Sequence, residues 1–446
     1  MKQRKTGKKI GSNGMNELEE QDRISPKRTK GPVRLLTAED LLSPEAMPNI
    51  GEWRLPFQEL LIEGLLSFGE KTYFEFGQLN ILVGPNGSGK SNLIDCVRVF
   101  RAAPFDIQEA FKDAGFEEWL YKGANNRAET ALLEVTVKLP ELPDEIHHQI
   151  RLGPPFRERA RLEEVVYGAE GENGHINQYF VGSYRSGATL SVSGAGRRRK
   201  ERELEENVYE PFQSILSQIR DIGQYPEITR LSSFYANIRI YSEWMFGRNS
   251  NLREATPAGR SGMMLSESMD DLALVLNGLA GSTAHEKIRV LLQELKETYV
   301  DYVTRIVFGN VGLELMEKPF DRLPLPAKRL SDGTLRFLAL AAILLQPSPP
   351  SLICLEEPEL GMHPDMIRMV AGMIVDASAK TQLIVTTHSE HLLTALQDDF
   401  DALFAFDSGL AGSVVRRFSQ QEYKDWRQEH TLGELWTSGE LGGNRW

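Results

Sequence analysis

The sequence predicts an α/β fold built on a phosphate-binding loop, with a mixed sheet and an inserted helical lobe. Three observations carry that expectation. The apolar run Leu79-Asn80-Ile81-Leu82-Val83 leads into Gly84-Pro85-Asn86-Gly87-Ser88-Gly89-Lys90-Ser91, and a helix-like stretch from Asn92 follows. Two later apolar runs, Ser351–Leu355 and Leu383–Thr387, end on Glu356-Glu357 and His388. More than half of the chain separates Lys90 from the next glycine-marked helix start at Ser331, which is room for a substantial insertion.

The first element is the most specific. Residues Gly84–Ser91 fit G-x-x-x-x-G-K-S/T in the setting that motif demands, a buried strand before and a helix after. Glycines let the backbone wrap so that its N–H groups and the helix N-terminus face phosphates. Lys90 is placed to reach the β- and γ-phosphates of ATP, and the Ser91 hydroxyl to ligate Mg²⁺. A glycine-rich turn that binds nothing is the competing reading, and the flanking strand and helix weigh against it.

Composition sets the outer bounds. The 446 residues suffice for two or three compact units, and 41% hydrophobic with 26% charged residues is a globular balance. A net charge of −12 argues against general attraction to polyanions, so nucleic-acid contact would need a local basic patch. The two cysteines, Cys96 and Cys354, sit in apolar segments and read as small buried hydrophobes of a reducing compartment. No apolar core follows the basic N-terminus, and the longest apolar run, Phe337–Leu345, is too short for a bilayer. The expected location is cytoplasmic.

Along the chain, residues 1–50 read as a polar tail that cannot bury enough surface to order itself. Order is expected from near Trp53. Leu60-Leu61-Ile62 and Tyr73-Phe74-Glu75-Phe76 read as strands around a turn at Ser67-Phe68-Gly69, and Ala131–Leu139 as a half-buried strand. Gln178–Val181 and Ala188–Val192 suggest a hairpin. Four-residue spacing of Leu204, Val208, Phe212, Leu216 and Ile219 predicts an amphipathic helix; a second runs through Ile288, Leu291, Leu292, Leu295, Tyr299 and Tyr302. His147 and His148 stand in a polar stretch without metal-ligand partners and receive no role.

Ser351–Pro358 has the form of a Walker B segment, in which a strand presents acids at the carboxyl edge of a parallel sheet. Glu356 should organise Mg²⁺, and Glu357 is the candidate base or orienter of an attacking water. His388 ends a further apolar strand and is placed to sense the γ-phosphate. Ser331-Asp332-Gly333 opens the apolar helix Phe337–Leu345. It reads either as a simple N-cap or as a second anion-binding surface, closing on ATP held by another subunit.

These elements, in this order, resemble the ATPase heads of the SMC, RecF and OLD group of the ABC superfamily. The likeness is strongest to stand-alone bacterial predicted ATPases labelled AAA-family. The motifs are Gly84–Asn92, Leu330–Thr334, Glu356–Pro364 and Thr386–Ser389. Further matching pieces are Ile240–Gly247, Leu432–Trp436 and Gly442-Gly443. The resemblance implies an ABC-type P-loop ATPase head with a mixed sheet and an inserted helical lobe. It also implies two heads sandwiching two ATP, with Lys90 and Glu357 of one facing Ser331 and Gly333 of the other. Leu66 stands where such heads often carry a lysine, and Gln108 is the weak candidate for a Q-loop glutamine.

The expected organisation is a tail over 1–50, an N-terminal ATPase lobe over 51–195 and an inserted, mainly helical lobe over 196–310. A C-terminal ATPase lobe over 311–446 then carries the signature, Walker B segment and switch histidine. Neither helical segment sustains heptads long enough for an SMC-type coiled coil, and little chain follows Ser389 to hold an OLD-type nuclease domain. The leading expectation is a slow, ligand-stimulated ATPase, forming a homodimer or higher oligomer, that gates a protein effector or a DNA transaction. By family analogy this could serve anti-phage defence beside a nuclease or toxin. Alternatives are a DNA repair or chromosome-maintenance ATPase, and a nucleotide-dependent scaffold. Arg197-Arg198-Arg199-Lys200 is the candidate DNA contact, although the carboxylates that follow also suit a solvated helix start.

Overall fold

The computed structural model describes residues 55–123, 127–170, 176–192, 200–204, 209–259, 262–298, 300–318, 323–418 and 430–442. The polar tail expected over 1–50 lies outside them. Strands β1 (Phe57–Glu63) and β2 (Thr72–Glu75) form the antiparallel pair expected around the Ser67–Gly69 turn. β3 (Leu79–Val83) is buried at every position, and α1 (Lys90–Ala102) follows the phosphate loop.

After the short α2 (Phe116–Trp119), the chain folds into successive antiparallel neighbours. These are β4 (Ala131–Val137), β5 (Ile146–Phe156), β6 (Arg159–Glu170), β7 (Ile176–Ser183), β8 (Gly187–Val192) and β9 (Lys200–Leu204). With β1 and β2 they make an eight-stranded sheet in the order β2-β1-β4-β5-β6-β7-β8-β9. The hairpin expected from Gln178 and Ala188 is β7–β8.

Two helix expectations need correction. The segment Leu204–Ile219 is not one amphipathic helix: Leu204 ends β9, paired with Ala188, and among the described residues of the segment only α3 (Ile215–Gln218) is helical. Pro211 explains the break, since it lacks the N–H and its ring clashes one turn back. α4 (Pro226–Ala236), β10 (Arg239–Tyr241), β11 (Thr256–Pro257) and α5 (Leu272–Leu279) follow. The second expected helix is α6 (Thr283–Lys296), but it stops short of Tyr302. Glu297 takes φ 50°, and the Val-, Thr- and Ile-rich stretch beyond becomes β12 (Val300–Val307), where β-branched side chains fit a pleated surface. β12 pairs with β13 (Asn310–Glu317), which also holds β11 and β14 (Leu325–Pro326).

The remaining elements are α7 (Asp332–Leu344), β15 (Leu352–Glu356), α8 (Pro364–Ser378), β16 (Gln382–Thr387) and α9 (Glu390–Ala395). β17 (Leu403–Gly409), β18 (Gly412–Arg417) and α10 (Leu432–Thr437) complete the chain. The central sheet runs β10-β15-β16-β3-β17-β18, with the first five strands parallel and β18 antiparallel. It is mixed, as expected.

Strand alternation divides the core. Ile81, Val83, Ile353, Leu355, Leu383 and Val385 face the cluster built by α5 to α8. Leu82, Cys354 and Ile384 face the other cluster, shared with α1, α4 and the eight-stranded sheet. Cys96 and Cys354 are free and buried in that second cluster. His148, from the stretch that reads as polar, lies in strand β5 and is fully buried. Its Nε2 lies 2.8 Å from Glu164 Oε1 and its Nδ1 3.0 Å from the Tyr235 hydroxyl. Glu164 also accepts from Ser214 Oγ at 2.5 Å and Ile215 N at 2.8 Å, so the buried carboxylate is well supplied with donors.

Candidate functional site

The parallel register brings the chemistry to one edge. Glu356 of β15 lies opposite Thr386 of β16, and Thr387 opposite Val83 of β3. The phosphate loop, the two acids and His388 therefore leave the carboxyl ends of three adjacent strands, where open α/β sheets bind ligands.

The loop is held by its glycines. Gly84, Gly87 and Gly89 all have positive φ. A Cβ on Gly89 would lie 2.1 Å from Ser413 Oγ and 2.6 Å from Ser67 Oγ, and one on Gly84 would meet Phe406 O at 2.6 Å. The loop is thus wedged against β17–β18 and the Ser67 turn. Ser413 Oγ lies 2.6 Å from both Ser67 Oγ and Ser88 O, and Asn92 Nδ2 donates to Ser67 Oγ at 2.8 Å. Sequence patterns do not single out Ser67 and Ser413, because nothing local marks a serine that props a loop from across the fold. Leu66 packs beside the second core cluster.

The donor set suits a nucleotide with its metal. Gly89 caps α1 without any side-chain cap bond, so the first-turn amides can face an anion. Among the described residues, the buried Ser88 Oγ has no hydrogen-bond partner. Lys90 Nζ turns back to Gly84 O at 2.8 Å and Pro85 O at 3.0 Å. Burial pushes its pKa down to about 8, against the opposing pull of Glu357 and Glu356. The Ser91 hydroxyl donates directly to Glu356 Oε1, placing together the two oxygens expected to share Mg²⁺.

Glu357 and His388 also meet, with His388 Nε2 at 3.2 Å from Glu357 Oε1. Desolvation, with the Lys90 charge adding to it, lowers the His388 pKa to about 4. At neutral pH the ring is uncharged and can donate one N–H to the carboxylate. Glu357 has φ 44°, an unfavourable backbone for a side chain of its size, and Thr386 holds it there. Both Thr386 O and Thr386 Oγ1 accept from Glu357 N at 3.1 Å.

Glu359 is a further residue to which sequence patterns assign no role. It is buried, accepts from Thr387 Oγ1 and from His388 N at 3.3 Å, and its pKa is raised by burial. Trp244 is another: its Nε1 donates to Glu356 O at 2.5 Å. The Arg336 guanidinium of α7 lies 5.2 Å from the Trp244 ring and 4.9 Å from Phe246, and donates to Leu360 O. The helix begun by Ser331 is therefore tied by one arginine to the end of β15.

Ser331 caps α7, accepting from Thr334 N at 3.1 Å, and both Ser331 and Asp332 are exposed. The cap reading is realised. Gly333 faces Gly361 O, 3.6 Å from where a Cβ would sit. Arg253, buried, fixes this turn through Ala327 O at 2.9 Å, Leu330 O at 2.7 Å and the Asp332 carboxylate. Gln108 does not act as a free Q-loop side chain: its amide donates to Phe212 O at 2.7 Å and accepts from Ala160 N at 2.9 Å. Arg197, Arg198 and Arg199 lie outside the described residues, and Lys200 begins β9.

Two family models match the chain. One, described as "AAA domain, putative AbiEii toxin, Type IV TA system", covers residues 272–394; another, "AAA domain", covers residues 59–116. Among solved structures, an Smc head bound to the C-winged helix domain of ScpA aligns with TM-score 0.54 and 15% identity, covering 82% of this chain and 99% of that one. An Smc head with an extended coiled coil, bound to the C-terminal domain of ScpA derived from Pyrococcus furiosus, gives 0.52 and 13%, covering 84% and 99%.

The fold is that of an SMC-type ATPase head. In sequence, this head is 32% identical over 81 residues to the chromosome partition protein Smc of Desulfitobacterium hafniense. It is 29% identical over 79 residues to that of Rhodopirellula baltica. Each match spans 18% of this chain and only 7% or 6% of the relative, so the likeness is to a small part of those proteins. Among the described residues, no helix of the head is long and apolar enough to cross a membrane.

Proposed function

We propose that the chain is an ATPase head that dimerises around ATP and uses binding and hydrolysis to gate a partner effector or a DNA transaction. The observation that carries this reading is the meeting of four groups at one sheet edge: Ser91 on Glu356, and Glu357 on His388. Lys90, the first-turn amides of α1 and the loop backbone would bind the phosphates. Ser91 and Glu356 would hold Mg²⁺, which when bound neutralises charge on the phosphates. Glu357 would take the proton of the attacking water, with neutral His388 and Thr386 fixing its orientation. Glu359 would position His388 through the backbone.

Exposed Ser331 and Asp332, with Gly333, would complete the site of a second head. The tie from Arg336 through Trp244 to the Glu356 carbonyl would report that closure. Assignment to anti-phage defence, with a nuclease or toxin as effector in the cytoplasm, rests on the AAA-type family likeness. Chromosome maintenance is the second reading, favoured by the Smc head fold and the Smc sequence matches. A protein partner is common to both.

Steady-state phosphate release tests the catalytic assignment. Glu357→Gln is expected to bind ATP normally and lose turnover by about a hundredfold or more, as removal of a general base does. Turnover at the wild-type rate would sink the role given to Glu357. A tagged pull-down of the same variant with ATP would then identify the effector or nucleic acid held by the closed state.

A further inference from the structure

The outer end of the eight-stranded sheet carries a row of arginines and rings that the ATP site does not use. Arg157 lies 5.3 Å from the Phe156 ring, and Arg161 lies 5.8 Å from Phe156 on one side and 5.1 Å from Tyr184 on the other. Arg185 lies 5.1 Å from Tyr184 and donates to its hydroxyl at 2.7 Å. The order is therefore Arg157, Phe156, Arg161, Tyr184, Arg185. Arg159 extends it over Phe212, which stacks with Phe156 at 6.3 Å.

Register explains the assembly. Phe156 and Arg159 pair across a two-residue turn, and the pairing of Glu163 with Ser183 brings the β7–β8 turn to the same end of the sheet. Both turn residues, Arg157 and Glu158, have positive φ, at 52° and 69°. A turn of that kind favours Asn or Gly, so an arginine there is held against its backbone preference.

Of the four arginines in the row, one has an ion-pair partner among the described residues. Arg159 has a loose contact with Glu210 at 3.5 Å, half exposed on both sides. Among the described residues, Arg157, Arg161 and Arg185 have no carboxylate within ion-pair distance, and Glu158 and Glu163 are the acids nearest along the strands. Three guanidiniums held close on a chain of net charge −12 are complementary to a polyanion rather than to the rest of this surface.

We infer that this arginine–aromatic row binds the phosphate backbone of duplex DNA. Guanidinium groups at 5.1–5.8 Å compete with bases for the faces of Phe156 and Tyr184, and the exposed Arg157 and Arg185 are open to phosphate oxygens. Binding of that kind positions a duplex without reading its sequence. The inference deepens the DNA arm of the proposed function and supplies a surface other than Arg197–Lys200.

The test is fluorescence anisotropy of the full chain with a labelled duplex of mixed sequence, titrated with salt. Arg157→Gln/Arg161→Gln/Arg185→Gln is expected to weaken binding about tenfold or more and to flatten the salt slope by about 0.9 for each phosphate no longer neutralised. Glu158→Gln, which removes an acid beside the row, is expected to tighten binding about twofold. The unlabelled single strand should compete less well than the duplex. Unchanged affinity and slope in the triple variant, no duplex binding by wild type at low salt, or better competition by the single strand would each overturn the inference. ATP-dependent dimerisation of the triple variant is read alongside. If it persists while DNA binding is unaffected, the surface is wrong and the head reading stands; if wild type itself fails to dimerise, the head reading has failed separately.

Discussion

The two large sheets are built on opposite principles. In the central sheet, β3, β15 and β16 are neighbours although hundreds of residues separate β3 from the other two, and their apolar side chains are buried on both faces. In the eight-stranded sheet, β4 to β9 pair in chain order, and β5 alternates buried with less buried positions from Ile146 to Leu152. The long-range sheet aligns strand ends and so gathers Lys90, Ser91, Glu356, Glu357 and His388. The local sheet contributes at its ends what its turns carry: the Ser67 turn that props the phosphate loop and, elsewhere, the arginine row. Its interior instead stakes stability on one polar cluster.

Substitutions can separate these roles. The largest expected effect is on the local sheet: Glu164→Leu strands His148 Nε2, Ser214 Oγ and Ile215 N without their acceptor. Removing one partner from such a buried cluster costs about 3–5 kcal/mol. Chemical denaturation should show that loss, with ATP affinity of the folded fraction unchanged. Lys90→Ala should do the reverse, weakening ATP binding about 10- to 100-fold by removing a charge-assisted bond worth about 1.5–3 kcal/mol. Its melting temperature should hold or rise, because a buried, desolvated ammonium has gone. A melting-temperature drop in Lys90→Ala as large as that of Glu164→Leu would erase the distinction.

A smaller effect is set by pH. With the Lys90 pKa lowered to about 8 in the free protein, ATP binding must be paired with proton uptake above that value, since phosphate favours the charged amine. Affinity measured by calorimetry should be flat from pH 7 to about 8 and fall as pH rises further. For His388 the sign is opposite: its pKa, lowered from 6.5 to about 4, gives stability that is present above about pH 6.5 and lost as pH falls toward 4. Smallest of all, Trp244→Phe removes the hydrogen bond to Glu356 O, worth about 1 kcal/mol, while keeping an aromatic ring beside Arg336, and should change turnover more than ATP affinity.

The same contrast explains what is legible in the sequence. Strands buried on both faces read as unbroken apolar runs, so β3, β15 and β16 and the residues at their ends stand out. Strands β5 and β6 do not: Pro154 and Pro155 interrupt one, and the inward-facing Glu164 breaks the apolar alternation of the other. Four-residue spacing across Pro211 imitates a helix, and the apolar spacing of α6 runs on through Tyr302 although the backbone there is β12. Ser67, Ser413 and Trp244 act across the fold, and no local pattern announces such contacts. Glu359 sits inside a recognisable motif, yet its grip on Thr387 and His388 is visible only once β15 and β16 are side by side.

The phosphate loop is proposed to be half of a site that the Ser331 turn of a second head completes. Light scattering of Glu357→Gln with ATP and Mg²⁺, alone and combined with Ser331→Arg, decides whether it is. The expected result is a doubled mass for Glu357→Gln that Ser331→Arg returns to the monomer value, with ATP still bound to each chain. A dimer of equal population in both proteins, or a monomer in both, would refute the composite site.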